Sequence, residues 1–124
     1  MRDQFLNRWR RPVVGLSLGL ALMPMSVLAE TFGIEDGLYD GYSCAAEESD
    51  QRIELEKGTA TFYGYACQLS NPRSLDGVEG AVLVHADCDG DGGQWSEGMV
   101  LLQTKNGGLS MLNAQWGDHY ERCE

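Results

Sequence analysis

Apolar and polar residues alternate along much of the chain after residue 36, with the period of two that half-buried β-strands show. The alternation is cleanest over Arg52–Glu56, because Ile53 and Leu55 share one face while charged residues occupy the other. Residues 81–86 form the most apolar segment and are predicted to be a central strand. The same reasoning predicts further strands at residues 37–44, 59–65, 98–104, 109–116 and 119–123.

Glycine, asparagine and aspartate separate these segments and predict turns. Asn106-Gly107 is the strongest hairpin signal, since Asn-Gly readily adopts positive φ. Residues 87–93 are predicted to be a glycine-rich turn, and residues 71–80 are the longest irregular stretch. A helix over residues 47–56 is the alternative to the strand predicted at Arg52–Glu56, but the apolar residues of this segment lie two apart rather than three or four. The chain is therefore predicted to be all-β, a small antiparallel meander of six or seven strands closed as a barrel or folded as a sandwich.

Residues 1–29 have a different pattern, with a basic start, an apolar run and a small residue at the end. This pattern predicts a signal peptide that is cleaved after Ala29. A transmembrane anchor is the alternative, but the run from Val13 to Leu28 is shorter than the about 20 apolar residues that a bilayer requires, and Pro24 interrupts it. Residues 30–124 would then form one exported domain, periplasmic or secreted, with no membrane attachment after cleavage.

The export route and the charge follow from the same segment. Arg10-Arg11 fits a loose twin-arginine pattern, but a protein that needs disulfides suits unfolded export by the general secretory route. The whole chain has 9 basic and 19 acidic residues; the leader holds four of the basic residues and one acid, which leaves a net charge of about −13. Such a charge repels nucleic acid and attracts basic proteins, although solubility alone could also explain it.

The four cysteines, Cys44, Cys67, Cys88 and Cys123, all lie in the predicted mature domain. An even number of cysteines in a small exported domain predicts two disulfides, and three connectivities are open. We favour Cys44–Cys123 with Cys67–Cys88, because the first pair would tie the first strand to the last. A four-cysteine zinc site lacks the close Cys-x-x-Cys pairs that such sites use.

Asp87, Asp89 and Asp91 follow the D-x-D-x-D-G spacing that opens a calcium loop, in which alternate carboxylates converge on one cation. The twelfth position of such a loop would be Glu, and here it is Gly98. A plain hairpin turn, in which Asp and Gly serve the backbone, is the alternative. Calcium is accordingly the one cofactor that the sequence suggests.

Catalytic signals are weak. His85 lies in the apolar strand and is expected to pack there, while Asp118-His119 could form a dyad. No serine nearby has the context of an activated nucleophile, and adjacent residues of a strand point to opposite faces. We therefore expect a protein that is not an enzyme, with an unassigned small hydrolase as the third hypothesis.

Aromatic residues are numerous in the predicted domain and either cover sheet faces or anchor contacts with a partner. Trp95, Glu97 and Trp116 are the candidate partner-binding residues. Over Gly41–Cys44, Cys67–Pro72 and Tyr120–Cys123 the chain resembles small four-cysteine periplasmic proteins of Gram-negative bacteria that have no assigned activity.

A fainter resemblance is to the periplasmic C-type lysozyme inhibitors, on Tyr42-Ser43-Cys44, Cys123 and the stretch Trp95–Gly98. That resemblance implies a small β-barrel and a bridge from Cys44 to Cys123. The family has Lys where this chain has Glu97, and the family's upstream Ser-Gly and Tyr elements are missing. The first hypothesis is thus a monomeric module that binds a basic protein through an acidic surface, such as a cell-wall hydrolase that it inhibits. The alternative is a calcium-stabilised structural domain.

Overall fold

The structure, a computed structural model, describes residues 30–123 and shows strands and turns but no helix in that range. The predicted signal peptide lies outside the described residues. None of the described residues forms a helix long and apolar enough to cross a membrane. Ten strands follow in chain order: β1 (Glu30–Thr31), β2 (Ile34–Glu35), β3 (Gly37–Asp40), β4 (Arg52–Glu56), β5 (Thr59–Phe62), β6 (Tyr65–Ser74), β7 (Ala81–Gly90), β8 (Gly93–Gln103), β9 (Leu109–Leu112) and β10 (Gly117–Arg122).

Strands β3 to β10 form a closed barrel in which every pair is antiparallel and sequential neighbours pair, with β10 closing the sheet against β3. The predicted all-β meander closed as a barrel is confirmed, with eight barrel strands where six or seven were expected. The extra strand is β6, because the segment predicted as one strand over residues 59–65 turns back at Tyr63-Gly64. The second half of β6 contains a β-bulge between Ser70 and Arg73, where Asn71 has a φ of 53°.

Alternate side chains of every barrel strand point inward, which is why the sequence alternates. On β4 the buried residues are Ile53 and Leu55, as the pattern predicts. The core that these inward positions form consists of Ile34, Tyr39, Ile53, Leu55, Ala60, Cys67, Leu69, Val82, Val84, Ala86, Cys88, Met99, Leu101, Leu109, Met111 and Tyr120.

The β1–β2 hairpin covers one end of the barrel, where β4 and β8 finish. Thr31 and Ile34 are almost fully buried there. The Thr31 hydroxyl donates to Asp36 at 2.6 Å and accepts from the Gly58 amide at 3.0 Å, while the Glu35 amide donates to the Gln103 side chain at 2.7 Å. This end is therefore sealed, and we call the opposite one, which carries the β5–β6, β7–β8 and β9–β10 turns, the open end.

Both disulfides join the cysteines as favoured from the sequence. Cys44–Cys123 joins the loop after β3 to the end of β10, and Cys67–Cys88 joins directly paired residues of β6 and β7 inside the barrel. No free cysteine remains among the described residues. Two disulfides in so small a domain indicate an oxidising environment.

Candidate functional site

A cleft of about 180 Å³ opens at the open end of the barrel. At this end the inward-facing positions carry mostly aromatic and charged residues, whereas the core below is mostly aliphatic. We call this cleft the aromatic cleft. It is lined by Asp50, Gln51, Arg52, Ile53, Phe62, Tyr63, Tyr65, Trp116, Asp118 and Tyr120.

Four aromatic rings form a connected cluster in and beside this cleft. Phe62 and Tyr65 flank the β5–β6 turn and stack with ring centroids 4.6 Å apart. Trp116 meets the Phe62 ring edge-on at 6.5 Å, and Trp95 meets Tyr65 at 5.3 Å. Phe62, Tyr65 and Trp116 are partly buried against the core, so their positions are set by packing.

Glu97 is held in place by two side chains at the edge of this cluster. The Asn113 amide donates to it at 3.0 Å, and the Trp95 indole N–H donates to it at a longer 3.4 Å. Asn113 in turn accepts from the backbone amide of Trp116 at 2.9 Å, which shapes the β9–β10 turn. The three candidate partner-binding residues Trp95, Glu97 and Trp116 thus lie in one connected group.

Negative charge dominates the cleft. Arg52 is the basic residue of its lining, and its Nε donates to the buried carboxylate of Asp40 at 2.8 Å, so its charge is already paired. Asp50 and Asp118 are exposed and face the cleft without such a partner among the described residues. The electrostatic field at the open end is therefore set by carboxylates.

This environment raises the pKa of Tyr65 and of Tyr120. Burial, followed by the nearby charge of Glu97, raises the pKa of Tyr65. Burial, followed by the charges of Asp118 and Tyr65, raises the pKa of Tyr120 to about 12. Both phenols therefore stay neutral at physiological pH, and they present aromatic faces and hydroxyl groups rather than phenolate charge.

The predicted calcium residues lie elsewhere. β7 continues to Gly90 and β8 starts at Gly93, so Asp87 and Asp89 belong to a strand and Asp91 to a two-residue turn. Asp87 accepts hydrogen bonds from Ser96 at 2.6 Å and from His85 at 3.0 Å, and these lower its pKa. Residues 30–123 contain no group of three or more His, Cys, Asp or Glu side chains placed to hold a metal ion.

The histidines stand on the outer surface of the barrel, away from the cleft interior. His85 contacts Asp87, and His119 lies 3.1 Å from the Ser110 hydroxyl through Nδ1. Asp118 points into the cleft while His119 points outward, because neighbouring strand residues face opposite sides. The Asp118-His119 pair is therefore divided between two faces of the barrel.

Phe62, Asn113 and Asp118 are site residues that the sequence did not single out for binding a partner. Each lies two positions from a buried strand residue, as Phe62 does from Ala60 and Asp118 from Tyr120. All three residues continue the inward-facing alternation at or just beyond the end of a strand, and this pattern is the signal that could have identified them. It becomes usable only once the strand ends are known, and the β5–β6 turn was not predicted.

Comparisons with known proteins supply no relative for this chain. A scan against models of protein families found no match, and searches of curated proteins and of solved structures found none either. The geometry and charge of the aromatic cleft are therefore the observations that bear on a function.

Proposed function

We propose that the protein is an exported binding module, periplasmic or secreted, which holds a cationic side chain of a basic partner protein in the aromatic cleft. It acts by binding rather than by catalysis. The observation that supports this best is that the rings of Phe62, Tyr65 and Trp116 and the carboxylates of Asp50 and Asp118 line one cleft.

Two physical terms favour a cation in this place. A lysine or arginine group over an aromatic face gains about 0.5–1 kcal/mol at an exposed site and about 2 kcal/mol when it is desolvated. Carboxylates beside the rings add charge attraction, and the acidic surface as a whole speeds the approach of a basic protein. The cleft volume of about 180 Å³ suits one long side chain rather than a drug-sized molecule.

A cell-wall hydrolase is the class of basic partner that we favour, and inhibition of that enzyme is the expected consequence. The resemblance to periplasmic C-type lysozyme inhibitors makes a C-type lysozyme the first protein to test. Glu97 stands where those inhibitors carry Lys, so this chain would offer a carboxylate to its partner instead of an ammonium group. At that position, this chain would therefore contribute a negative charge to the contact where the inhibitors contribute a positive one.

The test is titration calorimetry of the oxidised protein with a C-type lysozyme at low and at physiological salt. We expect binding that weakens as salt rises, because screening reduces attraction between exposed charges. Affinity that does not change with salt would contradict a contact led by charge. Assay of lysozyme activity in the same mixtures shows whether binding inhibits.

Two charge-matched variants locate the contact. Asp118→Asn removes one carboxylate from the cleft, whereas Glu54→Gln removes one from the outer face of β4. We expect Asp118→Asn to weaken binding about threefold or more at low salt and Glu54→Gln to change it by less than about 1.5-fold. Equal effects of the two variants would mean that net charge alone, and not the cleft, attracts the partner.

A further inference from the structure

Strand β10 is longer than the strand that closes the barrel against it. Asp40 is the last residue of β3, and it pairs with Glu121. The preceding residues of β10, from Gly117 to Tyr120, pair with β9 alone. One edge of β10 over residues 117–119 therefore has no strand partner among the described residues.

Strand geometry shows which peptide groups face this free edge. The Cys123 amide donates to the Leu38 carbonyl on β3 at 2.7 Å. Since peptide groups of alternate residues point the same way, those of His119 and Gly117 also point toward the β3 side. After Asp40 the chain continues only as far as Gly41, which lies beside Tyr120, before the amides of Tyr42 and Ser43 turn back to the Asp40 carboxylate. Residues 117–119 are all exposed.

The free edge borders the aromatic cleft. Asp118 and Tyr120 belong to the lining of the cleft, so side chains of this parity on β10 point into it. A strand added beside β10 would place the side chain opposite Asp118 on the same face, and therefore in the cleft. Residues directly opposite each other in an antiparallel pair are close enough for their side chains to interact.

We propose that the partner presents an extended segment that adds to β10 as an antiparallel strand in continuation of β3, with a lysine or arginine opposite Asp118 that enters the aromatic cleft. The inference rests on the proposed function and names its recognition element. Main-chain hydrogen bonds to His119 and Gly117 supply the docking, as in other strand-addition complexes. The carboxylate of Asp118 and the rings of the aromatic cleft select a cationic side chain at that position.

Complementary charge identifies the occupant as a cationic peptide segment. The cleft lining carries Asp50 and Asp118, while the positive charge of Arg52 is paired with Asp40. A second copy of this chain would bring a surface of the same acidic sign to the edge. Like charges in apposition oppose such a pairing, so the basic segment of another protein is favoured.

The probe is an acetylated and amidated peptide Thr-Lys-Thr, whose residues would lie opposite His119, Asp118 and Gly117, because Asp40 and Gly41 already occupy the positions opposite Glu121 and Tyr120. The oxidised protein is labelled with ¹⁵N and titrated to about 1 mM peptide, the limit of useful affinity for so short a strand. Hydrogen exchange of single amides is then measured with and without the peptide. We expect exchange at the His119 amide to slow in the complex. The Asp118 amide serves as the internal control, because it points to β9 and is already paired.

Peptide chemistry separates the backbone contact from the charge. Replacing the amide by an ester at the two threonines that flank the lysine removes the donors that would face β10, and we expect binding to fall at least about tenfold. An ester at the lysine position removes a donor that faces away, and binding should change less than about twofold. Glutamate in place of lysine should abolish binding. His119→Pro removes the matching donor on the protein, at an edge position where proline is tolerated.

The outcomes separate this inference from the function on which it rests. If lysozyme binding depends on Asp118 but His119 exchange is unchanged and the esters bind as well as the amide, the cleft binds cations and the strand addition is wrong. If the peptide protects His119 while no basic protein binds, the strand addition holds and the proposed function fails. No detectable peptide binding, or His119 protection that rises with protein concentration alone, overturns the inference.

Discussion

The carboxylate of Asp40 is buried at the end of β3 and accepts a hydrogen bond from Nε of Arg52 at 2.8 Å. It also accepts from the backbone amides of Tyr42 and Ser43 and from the Ser49 hydroxyl. Arg52 in turn donates to carbonyl groups of the same loop. This network ends β3 at Asp40 and turns the chain after Gly41 out of line with β3, so residues 117–119 of β10 keep a free edge beside the cleft.

Replacing Asp40 by Asn should destabilise the protein, because the charge of Arg52 and the loop donors lose their acceptor. Removal of one partner of a buried pair costs about 3 kcal/mol, which for a domain of this size corresponds to a fall of roughly 15 °C in Tm. Thermal unfolding of the oxidised protein measures it. Asp50→Asn, at an exposed position of the same loop, is the control and should change Tm little.

The same group should make the protein sensitive to acid. Burial alone would raise the pKa of Asp40, but hydrogen bonds from Tyr42, Ser43, Ser49 and Arg52 outweigh it and lower the pKa. The stabilisation is therefore present above the ordinary aspartate pKa of about 3.9 and is lost as pH falls through the lower value of the native state. Urea unfolding between about pH 2 and 5 should show a steeper loss of stability for the unmodified protein than for Asp40→Asn. Parallel curves would contradict this assignment.

The two disulfides should open in a fixed order. Cys44 is exposed and Cys123 half-buried, whereas Cys67 and Cys88 are buried inside the barrel. Because a reductant must reach a sulfur, Cys44–Cys123 should be reduced first in the folded protein, and Cys67–Cys88 only on unfolding. Alkylation followed by peptide mass spectrometry identifies the thiols. Early labelling of Cys67 or Cys88 would contradict the order.

Loss of the outer bridge should still be costly. The residues of Cys44–Cys123 are separated by 79 positions and those of Cys67–Cys88 by 21. The chain-entropy model assigns about 4.5 kcal/mol to the longer loop and about 3 kcal/mol to the shorter one. A double variant, Cys44→Ala with Cys123→Ala, should therefore lower the free energy of unfolding by an amount near the larger value, as measured in urea.

Tyr120 should ionise late and destabilise the barrel when it does. Its pKa is raised to about 12 by burial and then by the charges of Asp118 and Tyr65. The stabilisation is complete below the ordinary tyrosine pKa of about 10 and is lost as pH rises from there toward the native value. Ultraviolet titration should show a late phenolate step that Tyr120→Phe removes and Asp118→Asn moves to lower pH. A step unchanged in both variants would have to belong to another tyrosine.

Calcium should leave the Tm unchanged. Asp87 is already hydrogen-bonded to Ser96 and His85, and Asp87 and Asp89 extend from the outer face of a regular strand. A thermal melt in excess calcium and then in excess chelator tests this. Calcium at 100 times its dissociation constant would stabilise by about 2.7 kcal/mol, a shift of roughly 10 °C or more, and would restore the calcium hypothesis. Such a shift should vanish when Asp87, Asp89 and Asp91 are all replaced by Asn.

Local patterns were enough for the β-class and the meander, whereas the pairing of the cysteines was favoured from the sequence and decided by the structure. The period of two at residues such as Ile53 and Leu55 reflects a β-sheet with one buried face, and this pattern is local to each strand. Turn chemistry misled the prediction at residues 87–93, since Asp and Gly are frequent in turns. The buried Cys88 between two exposed aspartates was the opposing strand signal.

The chain by itself determined which side chains of a strand such as β4 face inward, because alternation is a property of short segments. Only the tertiary structure decided that Phe62, Tyr65, Trp95 and Trp116 meet at one end. Their meeting depends on how many strands close the barrel and on the register between them. It depends also on where β3 stops, which the buried Asp40–Arg52 pair sets through contacts between residues distant in sequence.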